Sequence, residues 1–228
     1  HILSQQQYEY GSYSGFPSKI ISNTSRTNRS IEIKNFYAND VSLLSDLGYD
    51  DLTTPELNAI KKLQKPSPSN LTGLHQIASP IQVETTIKNG ATTMSTTVQR
   101  TNYDNETSAN IVLPTNIQTL KGIYHSNTNK LEDRIIYHKY DDKGNPKEVS
   151  KANGAHIVYI WGCNQTQPIA KLENSTYTEV LTVLGATDLN LLKGNTLTDQ
   201  QVRDKIALLR NHSTMQNAMI TTYTYDPL

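Results

Sequence analysis

Cysteine occurs once, at Cys163, so no disulfide can close within the chain and no multi-thiolate metal site can form. Phenylalanine is scarce as well: two Phe and one Trp stand against 13 Tyr. A sealed core favours Phe, because a buried Tyr must find a partner for its hydroxyl. The imbalance therefore argues against a large closed aromatic core and suits half-exposed sheet faces. Neither sign of charge is in excess, since 21 Lys and Arg balance 21 Asp and Glu. That balance gives no electrostatic reason to expect nucleic acid as a partner. An apolar run of about twenty residues is missing, as is a secretory h-region, so no membrane insertion is expected of this segment. HExxH, GxSxG, P-loop and GxGxxG patterns are absent too.

What the chain has in quantity is Thr, Ser and Asn, with 36% hydrophobic residues in 228. Thr is a good strand former, and the pattern reads as a thin sheet with wet faces. Tyr8 to Tyr10 and Pro17 to Ile21 read as strands about a turn at Gly15. Ile31-Glu-Ile33-Lys-Asn-Phe36-Tyr37 alternates at period two before a break at Asn39-Asp40. Residues 41–65 turn helical: Thr54 is placed to cap, Pro55 fits the first helical position, and Leu57, Ile60 and Leu63 share a face. Pro66 and Pro68 end that helix, and 65–73 reads as a linker.

Beyond residue 74 strands joined by turns dominate. Ile81 to Ile87 meets Asn89-Gly90 and returns as Thr92 to Thr101, which predicts a type I′ hairpin. Glu148-Val149 returns through Asn153-Gly154 into His156 to Trp161. Thr176 with Glu179 and Thr198 with Gln201 match the capping box and predict two short helices near 176–210, with Val202, Ile206 and Leu209 striping the second. The strand pattern resumes from Met219 to Tyr225.

Tyr137-His-Lys-Tyr140-Asp141-Asp-Lys-Gly144-Asn145-Pro146 resembles the YD repeat of the Rhs/YD-repeat family. The physical need for those residues is plain. A Tyr ring packs along the sheet, Asp bonds turn amides, and Gly takes a backbone angle that other residues avoid. Tyr223-Thr-Tyr225-Asp226 looks like the start of another copy, and Tyr8-Glu-Tyr10 and Tyr103-Asp104 like degenerate ones. The stretch from Val158 through Trp161 to Lys171, followed by a helix pair and Thr-Tyr-Thr-Tyr-Asp-Pro, is similar to segments of large surface proteins of bacteria with type IX secretion. The resemblance covers residues 74–228 well and the first third weakly.

It implies a mainly β fold: an antiparallel YD-repeat sheet, a spiral or shell segment, with two or three short inserted helices. Residues 1–73 would be degenerate repeat strands with a helical insertion and linker, and 74–228 the YD-repeat β region. The chain opens at His1 and stops at Leu228 in a strand pattern entering a turn, which reads as a fragment. The function implied is a non-catalytic structural segment of a larger secreted or cell-surface bacterial protein, such as a toxin-encapsulating shell. Its partners would be the remainder of the parent chain, flanking repeats with a C-terminal effector, and secretion or cell-surface machinery. No cofactor is implied. The alternative is a glycan- or surface-binding adhesion module that stacks ligands on Tyr159 and Trp161.

Other chemistry finds little support in the spacing. His138 and His156 could meet across neighbouring strands, yet no Cys or clustered carboxylate stands nearby in sequence to complete a metal site. Asp50-Asp51 and Asp141-Asp142 lack the further oxygen ligands of a calcium loop. Asp141 reads as a turn cap, and Asp50-Asp51 as negative charge preceding a helix. Self-cleavage at Asp226-Pro227 is weaker than a turn reading, and Cys163 is expected as a small packing residue beside Trp161.

Overall fold

The computed structural model describes residues 5–11, 15–24, 28–106, 111–120 and 131–225. The protein is mainly β, with antiparallel strands and three α-helices among the described residues. It divides into two compact units, His1–Arg134 and Ile135–Leu228.

In the first unit, β1 (Gln6–Tyr10), β2 (Pro17–Asn23) and β3 (Arg29–Phe36) pair in chain order. The chain then leaves the sheet, forms α1 (Thr54–Leu63), and returns as β4 (Gln82–Asn89) beside β3, in register from Arg29↔Asn89 to Phe36↔Gln82. β5 (Thr92–Glu106) and β6 (Ile111–Leu120) extend the order. Alternation along β5 buries Thr96, Val98, Arg100 and Asn102 on one face. The excursion supplies an apolar layer: Val41, Leu47, Leu52, Leu57, Ile60 and Leu63 are buried together with Ile81 and Val112. The helical insertion expected within 1–73 thus shares its core with strand residues on the far side of that boundary.

Three local details differ from the sequence reading. The cap of α1 is Thr53, not Thr54: its hydroxyl accepts from Glu56 N–H while Glu56 Oε2 accepts from Thr53 N–H at 2.7 Å. Residues 41–52 are turns rather than helix. Asp46 Oδ2 takes the amides of Ser42 and Leu43 at 2.6 and 2.7 Å, Gly48 and Tyr49 sit at φ +65° and +58°, and the Gly48 and Asp50 carbonyls accept from Arg100. The hairpin after β4 turns on Gly90-Ala91, with Gly90 alone at positive φ (+59°), whereas type I′ needs two such residues.

β7 (Leu131–Tyr140) crosses the division between the units. In the second unit it is followed by β8 (Pro146–Lys151), β9 (His156–Gly162) and β10 (Gln167–Glu173), again paired in chain order. The chain leaves as α2 (Tyr177–Lys193) and α3 (Asp199–Asn211) and returns as β11 (Met219–Thr222) beside β10. Both expected capping boxes are formed, at Thr176/Glu179 and Thr198/Gln201. α2 breaks at Gly185, whose backbone (φ 71°, ψ 163°) lies in a region that glycine alone adopts readily. Val158, Ile160, Ala170 and Leu172 from the strands meet Val180, Leu184, Leu189 and Leu192 of α2 and Ile206 and Leu209 of α3.

Candidate functional site

The β7–β8 turn brings together the residues read as a repeat motif. Tyr137 and Tyr140 stack, ring centroids 5.8 Å apart and planes at 17°. Asp141 is buried, and each of its carboxylate oxygens accepts two bonds. Oδ1 takes the Lys143 and Asn145 amides at 2.9 and 2.8 Å, and Oδ2 takes Asn145 Nδ2 and Gln165 Nε2, both at 2.9 Å. Gly144 sits at φ +85°, where a side chain would strain the backbone. Asp142 adds a bond from Gln165 Nε2 at 2.6 Å, and Lys143 Nζ donates to the Asn164 carbonyl. One carboxylate therefore shapes its own turn and clasps the turn between β9 and β10.

A second cluster lies at the foot of α2. His156, the first residue of β9, pairs in register with Ser150, and its Nδ1 lies 2.6 Å from Oε1 of Glu148. Glu148 is buried, and its Oε2 accepts from the Tyr177 N–H, the first amide of α2, at 3.2 Å. His138 sits where the β7–β8 register slips, which turns its ring onto His156. The rings stack with centroids 4.4 Å apart, and His138 Nε2 lies 2.9 Å from Ser150 Oγ. Burial first, and the neighbouring His156 next, hold the His138 pKa below the ordinary histidine value. The two histidines, expected to meet across neighbouring strands, meet instead over β8, which lies between β7 and β9. Glu148 was not readable from strand spacing, because it comes into reach only through the β8–β9 register.

This cluster does not distribute its groups as a nucleophile relay does. There, one imidazole is held by the nucleophile on one nitrogen and by the acid on the other. Here Ser150 holds His138 and Glu148 holds His156, and both Ser150 and Glu148 are buried. Among the described residues no group of three or more His, Cys, Asp and Glu is arranged to hold a metal ion.

Tyr159 and Trp161 are half-buried on β9, on the face opposite Val158 and Ile160. The Trp161 indole N–H donates to the Pro146 carbonyl at 2.9 Å, which ties it to the residue ending the Asp141 turn. The hollow these two rings share with Asp141, Lys147, Tyr177 and Lys193 measures about 20 Å³, room for about one water. Lys147 lies over the Tyr177 ring at 4.5 Å, and burial, then Lys193, lower its pKa. Tyr223 donates its N–H to the Ile169 carbonyl and Tyr225 its hydroxyl to the Pro168 carbonyl, at 3.0 and 2.7 Å. Asp226 lies outside the described residues. Tyr103-Asp104 stands within β5, which continues to Glu106 without a turn there. Cys163 is not a packing residue: it is exposed, in a turn where Cys163, Asn164 and Gln165 all have positive φ.

A larger groove of about 680 Å³ runs between the α2–α3 connection and the chain after β11, with Leu191, Val202 and Ile206 among apolar residues lining it and Arg203 and Asp204 among charged ones. No helix among the described residues is long and apolar enough to cross a membrane. No family model matches the chain, and searches of curated proteins and of solved structures returned no match.

Proposed function

We propose that this chain is a non-catalytic structural segment of a larger secreted or cell-surface bacterial protein of the Rhs/YD-repeat kind, a stretch of antiparallel sheet that forms part of a shell. The observation that carries this reading is the Asp141 turn. Stacked Tyr137 and Tyr140, a buried Asp with both oxygens saturated by turn donors, and Gly144 at positive φ supply each of the physical roles that the motif requires. Strand pairing in chain order supports it, since a sheet that grows one hairpin at a time can be lengthened by further hairpins without rearrangement. A shell of this kind would hold a C-terminal effector and meet secretion or surface machinery.

The test is the protein in its source, detected with antibodies in culture supernatant and surface-washed fractions and sized by intact mass. A polypeptide well above 25.5 kDa in those fractions is the expected result. A 25.5 kDa polypeptide confined to the cytoplasm would overturn the proposal. The adhesion alternative is read by titrating glycans against Trp161 fluorescence. The hollow beside Tyr159 and Trp161 has room for about one water, so no saturable change is expected.

A further inference from the structure

We propose that the stacked His138–His156 pair is a proton-operated latch: it holds the first turn of α2 to the sheet while at most one ring is charged, and releases it when both are. Glu148 is the connecting part. Through Oε1 it meets His156 and through Oε2 it receives the first amide of α2, so one buried carboxylate serves both the ring pair and the helix. It can balance one imidazolium. The His156 carbonyl reinforces the joint, accepting from the Asn174 and Ser175 amides at 2.8 and 3.4 Å as the chain enters α2.

Among the described residues Glu148 is the carboxylate hydrogen-bonded to the ring pair. From β7, Lys139 is cationic and donates to Thr178 Oγ1; from β8, Lys147 is cationic and lies over Tyr177. From α2, Glu179 feels the charge of His156 but is held at the helix start, its carboxylate accepting from the Thr176 amide at 2.7 Å, the Thr176 hydroxyl at 3.0 Å and the Ser175 hydroxyl at 3.4 Å, and Asp188 is paired with Lys205. From β10, Glu173 is paired with Lys171 and stands opposite Ile157, on the other face of the sheet from His156. From the turn at 213–215, Met215 presents sulfur to Ser175, and the His212 Nδ1 at its head accepts from the Thr214 amide. A second proton on the stack thus places two cations 4.4 Å apart, centre to centre, with one carboxylate in hydrogen-bond contact.

The sign follows from linkage. His138 has a depressed pKa in the fold, so the unfolded or opened chain binds the proton more readily. Closure is therefore favoured at neutral pH and weakens as pH falls below about 6.5, the ordinary histidine value, down to the depressed one.

Hydrogen exchange of the full chain, followed on peptides covering Tyr177–Val180 and corrected for intrinsic rates, tests this at about pH 7.5 and about pH 5. Protection there is expected to fall in the wild type on acidification. It should stay level in His138→Phe, which keeps an aromatic ring in the stack and cannot titrate. Equal pH dependence in the two proteins, or no change in the wild type, would overturn the latch. Should His138→Phe not fold, ring-proton titration of the wild type by NMR decides instead. A His138 step below the ordinary histidine value supports the proposal, and a His138 step at that value sinks it.

Discussion

Asp141→Ala should destabilise the second unit by about 3 kcal/mol. The substitution deletes an acceptor for four donors at once: the Lys143 and Asn145 amides, Asn145 Nδ2 and Gln165 Nε2. Net worth of a bond to a charged group runs to about 1.5–3 kcal/mol, but the four losses do not sum. Lys143 is exposed, so water can take over its amide cheaply, whereas Asn145 is half-buried and its two donors lose more. Asp141→Asn separates the two oxygens. It retains an acceptor at the Oδ1 position and points an amide NH₂ at two other NH₂ groups, so about half of the loss is expected. The assay is urea unfolding read by tryptophan fluorescence. Trp161 is the only tryptophan, and its indole bonds to Pro146 immediately after the turn, so the probe sits where the change is made. A double-mutant cycle with Gln165→Ala should return about 1 kcal/mol of coupling between adjacent turns. A cost below about 1 kcal/mol for Asp141→Ala, or equal costs for Ala and Asn, would refute the reasoning that both oxygens are structural.

Two further substitutions probe features of opposite kind. Gly185→Ala has open space for its methyl, and helix propensity alone predicts a gain of about 1 kcal/mol. The backbone at φ +71° and ψ 163° predicts the reverse, a loss of about 1–3 kcal/mol in the same urea measurement. Arg100 is 1% exposed and joins Gln82 Oε1 to the Gly48 and Asp50 carbonyls, so Arg100→Ala should cost about 3 kcal/mol or more and admit protease to residues 41–52. Arg100→Lys should not restore protection from protease, because an ammonium cannot reach three acceptors with the planar fork that guanidinium provides.

How far the fold could be read from sequence depended on whether the cause was local. Period-two alternation located β3, β4 and β9, and Thr-x-x-Glu and Thr-x-x-Gln spacings located the starts of α2 and α3, because a strand face and a capping box are built from neighbours in sequence. The role of Asp141 as a turn cap was equally local. Failures came where a distant residue decided. Residues 41–52 carry helix-compatible apolar spacing, yet Arg100, far along on β5, takes the carbonyls that a helix would have used. Glu148 reaches His156 only through strand register, and Cys163 is exposed because the β9–β10 turn places it there, beside Trp161 in sequence but not in packing. The choice of Thr54 over Thr53 as cap was avoidable, since Glu56 stands three residues after Thr53.

The two units share a solution that bears on function. In each, the chain leaves between two strands that will pair, β3 with β4 and β10 with β11, and the detour returns with a helical layer. An antiparallel pair can be closed by a turn of two residues, so pairing does not require these detours. They are needed because strands so rich in Thr, Ser and Asn present too little apolar surface to cover one another. The buried polar groups follow the same logic: Arg100, Asp141 and Glu148 all turn to backbone carbonyls or amides of turns and helix starts. Among the described residues the buried side-chain polar atom without a partner is Asn102 Oδ1, on the strand that also carries Arg100. Contacts of this kind, which hold turns and helix starts in place, stand beside the Asp141 turn as support for the shell segment proposed for this chain.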